Sequence, residues 1–317
     1  MPIIGLGIAY MGSKRKLAPK ILTHIIRENP KAKYFYDLFG GGGSISFMAL
    51  QVKQFSKVHY NEYDPSIVNL LKHIKENGVN DDMYNWVSRE DYFKNKDDTN
   101  WKSGLLKTIW SFGNNGKGFL YGKDLEKNQK MMYHIVVKNN IDDIFKFKEM
   151  FDFSFDCDEL HNSFKNKDME QRKTIISRII KNKSTIKGEK ELEKLIELER
   201  LRRLDILGSF KKIKDLSQFK QLKNLSISNL SYEDVIIDTP EDETILYLDP
   251  PYHGTASYNS SLDFNKLKTF IKESKFKIYV SEYKNTYDLK IEKEFKHRSI
   301  LSSSSNNEVV EKLYCNK

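Results

Sequence analysis

The stretch ILYLDPPYHG, residues 245–254, ends an apolar, strand-forming run with Asp249, Pro250, Pro251 and Tyr252. Proline cannot donate to a sheet ladder, so two in succession stop a central strand. These four residue types suit work on an exocyclic aromatic amine, a poor nucleophile because its lone pair is delocalised into the ring. Two acceptors that take both amino hydrogens let the nitrogen pyramidalise and aim that lone pair at an electrophile. The Asp249 carboxylate can accept one hydrogen and the Pro250 carbonyl the other. Neither proline presents an N–H against the amine. Tyr252 adds a flat face on which a base drawn out of a helix can stack, worth about 1–3 kcal/mol.

A second group lies near the start of the chain. DLFGGGG, residues 37–43, follows a strand-like run and opens a helical one. Its backbone can come close to a ligand, and its helix start offers unpaired N–H groups. It fits neither GxGxxG nor GxxxxGK[ST], and GSK at 12–14 resembles the latter only superficially. Glu62 falls about twenty residues later at the end of the next strand, where a doubly wound fold keeps the acid that bonds ribose hydroxyls. Asp64 is the alternative. Loop and acid together point to an adenosine-containing ligand.

The elements that position these groups can be read from hydrophobic period. KYFYDLF (33–39) and KVHYNEY (57–63) read as strands, SISFMALQVKQF (44–55) and PSIVNLLKHIKENG (65–78) as the helices after them. Two βα units in succession imply a parallel sheet. ETILYLD, FKIYVSEY (276–283) and the helix DFNKLKTFIKES (263–274) restore the pattern after residue 224, and EFKHRSIL and EVVEKLYC flank SSSSNN as a closing hairpin. Between them, 81–224 is charged and mostly helical, broken by the polar loop SFGNNGKG at 111–118. The expected organisation is an α/β domain made from 1–80 and 225–317, with 81–224 inserted.

Charge is concentrated in that insert. Residues 161–220 hold 17 Lys and Arg against 9 Asp and Glu, an excess of eight in a chain whose formal net charge is +9. A pI near 9.1 favours polyanionic partners. Cys157 and Cys315 have no CxxC spacing, so neither a disulfide framework nor a zinc site is readable, and the histidines show no metal-ligand spacing. The basic cluster Lys14–Lys16 follows the apolar start, the reverse of a secretory signal, and no apolar run reaches the ~18 residues of a membrane span. The expectation is a soluble cytoplasmic protein.

The chain resembles the Dam-type, alpha-group N6-adenine DNA methyltransferases, in particular their phage and restriction-modification members. The likeness runs in family order through AYMGSKRKL (9–17), YDLFGGGGSIS (36–46), HYNEYDPSIVNLL (59–71), WSFGNNGKGFLYG (110–122), LSISNLSYEDVII (225–237), ILYLDPPYHGTASY (245–258) and IYVSEY (278–283), covering nearly the whole chain.

The resemblance implies a Rossmann-like seven-stranded methyltransferase sheet, mostly parallel with one antiparallel strand, plus a helical target-recognition insert. It implies S-adenosyl-L-methionine as cofactor, with Tyr10, Lys14, Asp37, Phe39, Gly40, Gly42, Glu62 and Asp234 in the cofactor-binding positions. It makes Asp249, Pro250, Pro251 and Tyr252 the catalytic tetrapeptide. Four glycines stand where the family has two or three, which leaves the contacting glycine open. The expected partner is double-stranded DNA, met by a monomer, with room for a cognate restriction endonuclease that acts separately. Asn114, Asn115 and Lys117 are candidate base readers, and Lys211, Lys212 and Lys214 candidate phosphate contacts. His253 abuts the catalytic motif, and Glu282 is expected at a strand end lining the pocket. N4-cytosine methylation poses the same chemical problem and is the nearest alternative; a DNA-binding protein that has lost catalysis is the other.

Overall fold

A computed structural model describes residues 5–182, 189–251, 262–298 and 308–317 of the chain. Seven strands form one sheet: β1 (Tyr34–Asp37), β2 (Lys57–Asn61), β3 (Leu225–Ser228), β4 (Thr244–Leu248), β5 (Lys277–Glu282), β6 (Lys290–Arg298) and β7 (Glu308–Cys315). Their order is β3-β2-β1-β4-β5-β7-β6. β3, β2, β1, β4 and β5 pair in parallel, and β7 runs against both β5 and β6. The sheet is therefore mostly parallel with one reversed strand, and the C-terminal hairpin supplies it. β1 sits between β2 and β4, so the strand order turns outward in both directions there, and a crevice opens beyond the carboxyl ends of these strands.

Both faces of the sheet are covered, which is why its central strands are nearly continuous in apolar residues. Successive residues of β1 alternate between two clusters, Phe35 joining one and Tyr36 the other. The first cluster takes in α1 (Ala18–Glu28), α2 (Ser44–Ala49) and α3 (Pro65–Asn77). α3 has the start and stop its sequence announces: Asp64 caps it by accepting from the Ser66 N–H at 2.9 Å, Pro65 opens its first turn, and Gly78 ends it at φ 72°. α2 is shorter than its periodicity suggests. The backbone tightens to i−3 bonds at Gln51 and Val52, and the Gln54 amide turns back to bond the Asn29 and Ala32 carbonyls.

The insert leaves β2 by way of α3 and returns at β3. It carries α4 (Arg89–Asn95), α5 (Trp101–Ile109), α6 (Glu126–Tyr133), α7 (Ile141–Met150), α8 (Cys157–Phe164), α9 (Met169–Lys181), α10 (Glu189–Leu201) and α11 (Ile206–Ser217). Its apolar side chains, among them Leu105, Trp110, Tyr133 and Phe210, belong to the same cluster as the α1–α3 face of the sheet. Lys107 of α5 reaches Asp64 at the head of α3, Nζ to Oδ2 2.7 Å, and Lys75 of α3 donates to the Leu225 carbonyl where β3 begins. α12 (Phe264–Glu273) covers the other face with Leu267 and Ile271. β3 was not legible as a strand because LSIS alternates serines with apolar residues over only four positions; pairing along β2 makes it one.

Candidate active site

Beyond the carboxyl ends of β1, β2 and β4 lies a cavity of about 670 Å³. Tyr10, Lys14, Asp37, Phe39, Gly40, Gly42, Glu62, Asp249, Pro250 and Pro251 all line it, although they come from both ends of the chain. Tyr252 and His253 lie outside the described residues. Asp234 is exposed and is not among the lining residues; Ser231, Tyr232 and Glu233 just before it are. The short helical turn at Tyr232–Asp234 directs the segment so that Glu233 rather than Asp234 meets the cavity. Glu282 is buried at the end of β5, accepting from the Tyr283 N–H, and does not line the cavity.

The backbone of the glycine loop is bonded to both backbone and side chains of its neighbours. The Gly40 N–H donates to the Asn61 carbonyl at 2.7 Å, the Gly41 N–H to Glu62 Oε2 at 2.8 Å, and the Tyr60 hydroxyl to the Gly41 carbonyl. A Cβ on Gly40 would run into the Tyr60 ring, and one on Gly42 would stand 2.8 Å from the Tyr10 Cβ and 2.9 Å from the Ile8 carbonyl oxygen. No side chain fits at either place, so both are fixed as glycine by close approach. Tyr10 reaches this loop because the Ile8 N–H donates to the Gly42 carbonyl. The Ser13 and Ser44 hydroxyls bond at 2.8 Å, tying the residues before α1 to the start of α2.

Glu62 accepts from the Gly41 and Asp64 N–H groups, one on each oxygen. Each carboxylate oxygen has a further lone pair, which leaves capacity for ribose hydroxyls. Burial raises its pKa, against those two bonds. Asp64 is pulled the other way. Burial pushes it up, but Lys107 and Ser66 more than reverse that and hold it below the usual carboxylate range.

Buried Asn61 joins the loops around the mouth. Its amide donates to the Leu38 and Leu230 carbonyls and accepts from the Leu230 N–H and the Ser228 hydroxyl. This bonds the end of β1 to the segment after β3, whose Tyr232 stacks on Phe39 with ring centroids 5.4 Å apart. An aromatic pair at the edge of the cavity is suited to a flat ring.

Asp37 sits at the end of β1, 1% exposed. Its Oδ2 accepts from the Ser46 hydroxyl at 2.7 Å, while Oδ1 has no partner among the described residues. Burial pushes its pKa up to about 7; Asp249 and Glu62 add to this and Ser46 opposes it. A buried carboxyl oxygen without a donor is costly, and a cationic ligand group in the cavity would satisfy it.

At the other end, Lys14 Nζ lies 2.9 Å from Asp249 Oδ1 and 3.6 Å from Glu311 Oε1. Lys14 is 7% exposed and Glu311 1%. Burial by itself would lower the Lys14 pKa, but the two carboxylates override it and keep the ammonium protonated. Burial raises the Asp249 carboxyl and Lys14 opposes the rise. Two acids thus share one cation. Glu311 escaped the sequence reading; the signal was an acid alternating with Leu313 and Cys315, which are core residues of the same strand. The polar loop at 111–118 meets this region too, since the Met11 N–H donates to the Asn114 carbonyl.

A family model described as D12 class N6 adenine-specific DNA methyltransferase matches residues 10–199 and 207–316. The chain belongs to this family. Its reaction is therefore methyl transfer to N6 of adenine in DNA, from a methyl donor. No curated protein matches the chain at a significant level. For a D12 methyltransferase, the cavity places the Asp-Pro-Pro end and the glycine-loop end in one enclosure, as transfer between two bound molecules requires. Among the described residues no helix is long and apolar enough to cross a membrane, and no cluster of His, Cys, Asp and Glu could hold a metal ion.

Proposed function

We propose that the methyl donor is S-adenosyl-L-methionine and that the acceptor is an adenine flipped out of double-stranded DNA. One observation carries the reading: Asp249 and Pro250 open into the same cavity as the Gly40–Gly42 loop, Glu62 and the Asp37 oxygen that has no partner among the described residues. The residues fit that donor. Glu62 would hold its ribose, Phe39 and Tyr232 its adenine, and Asp37 its positive charge.

When bound, it supplies a sulfonium methyl whose C–S bond breaks as the N–C bond forms, the electron pair leaving on sulfur. Asp249 and the Pro250 carbonyl take the two amino hydrogens of the flipped base and so turn the nitrogen lone pair outward. As the nitrogen gains its methyl it sheds a proton, which the Asp249 carboxylate takes and passes to solvent. Its raised pKa makes Asp249 a better base for that step. Pro251 shapes the turn without offering a competing donor. Tyr252 is assigned the stacking role, offsetting the few kcal/mol that flipping costs.

The insert, 81–224, is assigned to target recognition. Lys211 and Lys214 are exposed on α11, Lys211 pairing with Asp215, and half-buried Lys212 has its pKa lowered by burial and then by the charge of nearby Arg15. This joins the basic residues after Lys14 to those of the insert in one surface for phosphates. Reversing the charge of Lys211, Lys212 and Lys214 together is expected to reduce the slope of log affinity against log salt by about 2–3 on duplex DNA, at about 0.9 per lost phosphate contact. An unchanged slope would place α11 away from DNA. We further propose that the enzyme works as a monomer in a prokaryotic or phage-infected cytoplasm, where a restriction endonuclease could act on the same sites. The deciding experiment is single-molecule sequencing of DNA from a methylation-free host expressing the chain. N6-methyladenine in one short sequence context is the expected result; soluble protein with no modified adenine would overturn the reading.

A further inference from the structure

Glu311 lies on β7, whose inward positions Leu313 and Cys315 belong to the apolar core. An acid 1% exposed in such a row is costly unless a cation answers it. Lys14 answers it at 3.6 Å, from the turn that precedes α1. The same ammonium is 2.9 Å from Asp249 at the end of β4. The cation is therefore divided between an acid assigned to the chemistry and an acid in the wall behind it, which does not line the cavity.

That division matters because the more of the ammonium's charge Asp249 takes up, the weaker its carboxylate becomes as an acceptor and base for the amine. Asp249 has two tasks that compete: it must stay ionised in a half-buried place, and it must stay a strong acceptor for the adenine amine. A lone Lys14 would serve the first task and hinder the second. We propose that Glu311 is a positioning residue for methyl transfer, holding part of the Lys14 ammonium so that Asp249 stays ionised yet free to accept from the target amine. The proposal rests on Asp249 being the amine acceptor.

The groups that face this trio are few among the described residues. Tyr283, after β5, acts on Lys14, Glu311 and Asp249, and Asp37 of β1 and Tyr247 of β4 interact electrostatically with Asp249. Tyr247 is bonded to Ser281 through its hydroxyl at 2.6 Å and stays neutral well past the working range. Asp37 is common to every variant below, so shifts between variants report Lys14 and Glu311.

The test is the pH dependence of single-turnover methylation, with S-adenosyl-L-methionine and duplex DNA saturating. In Glu311→Gln, the Lys14 ammonium is drawn further to Asp249. The acidic limb is expected to move to lower pH by about one unit, and the plateau rate to fall roughly tenfold, with the affinity for the donor unchanged. In Lys14→Met the limb is expected to move the opposite way, to higher pH, because Asp249 loses its cation. A Glu311→Gln enzyme whose limb stays put overturns the proposal, whether or not its rate falls, since a merely structural acid would lower the amount or rate without moving the limb. If Glu311→Gln does not fold, Glu311→Asp holds the ammonium more weakly from a shorter arm; its limb is expected to move part of the way to lower pH, and a limb that stays put overturns the proposal. Asp249→Ala in the same assay separates the two ideas. Retained activity there would refute Asp249 as acceptor; loss of activity there with an unmoved limb in Glu311→Gln would refute Glu311 alone.

Discussion

The glycine-loop end of the cavity and its Asp249 end draw on the chain in different ways. The first takes Asp37, Phe39, Gly40, Gly42 and Glu62 from one short stretch, β1 to β2, and holds them by backbone bonds such as Gly40 N–H to the Asn61 carbonyl. The second takes Lys14 from before α1, Asp249 from the end of β4 and Glu311 from β7, and holds them by charge. The first is packed so closely around its glycines that it fails by steric clash. The second, made of two buried charges and a half-buried third, fails when any single charge is removed, because its partners are left uncompensated.

Substitutions can break that contrast. The largest effect is expected for Asp249→Ala, a loss of about 10³-fold in methyl transfer rate with donor affinity kept within a small factor; an active variant would remove the charged end from the chemistry altogether. Gly40→Ala should do the reverse, weakening donor binding by roughly tenfold or more as the loop shifts off Tyr60, which calorimetry would report; unchanged affinity would mean that the loop gives way without consequence for the ligand.

Asp37 sharpens the comparison, being a charge-bearing group in the backbone-built end. Its folded pKa, about 7, lies above the ordinary 3.8, so the folded state holds a proton that the unfolded chain releases. Stability without ligand must then fall as pH rises between those two values. Asp37→Asn removes that fall: it is expected to match the parent near pH 4 and to be the more stable protein at pH 8, while binding the donor less tightly. Urea unfolding at the two pH values measures the first part, and a variant less stable at pH 8 would show that the acid is held ionised in the fold. The smallest effect is expected for Asp64→Ala, which removes the α3 cap and the Lys107 partner at a cost of about 1 kcal/mol in stability. If it instead lost donor binding outright, the backbone-built end would depend on charge as much as the other.

Local order determines how far a sequence can be read. β1, the glycine loop, β2, α3, β4, α12 and β5 were legible because hydrophobic period, caps and prolines act over a few residues, and Asp249–Tyr252 stood out as acid and prolines closing an apolar strand. The same local grammar overran α2 and passed over β3, whose four residues become a strand only by pairing with β2. Asp234 shows the limit at single-residue scale, since a turn decides whether it or Glu233 meets the cavity.

The sequence by itself thus determined the parallel βα pattern of the sheet and its closing hairpin, and it singled out the glycine loop and Asp249–Tyr252 as the candidates for donor and amine. The tertiary structure alone decided that the insert shares the core of the sheet and that Asn61 bonds the loops at the mouth. It alone set Lys14 between Asp249 and Glu311. Those contacts join residues far apart in the chain, and buried charges reveal their partners only once the fold has removed the water between them.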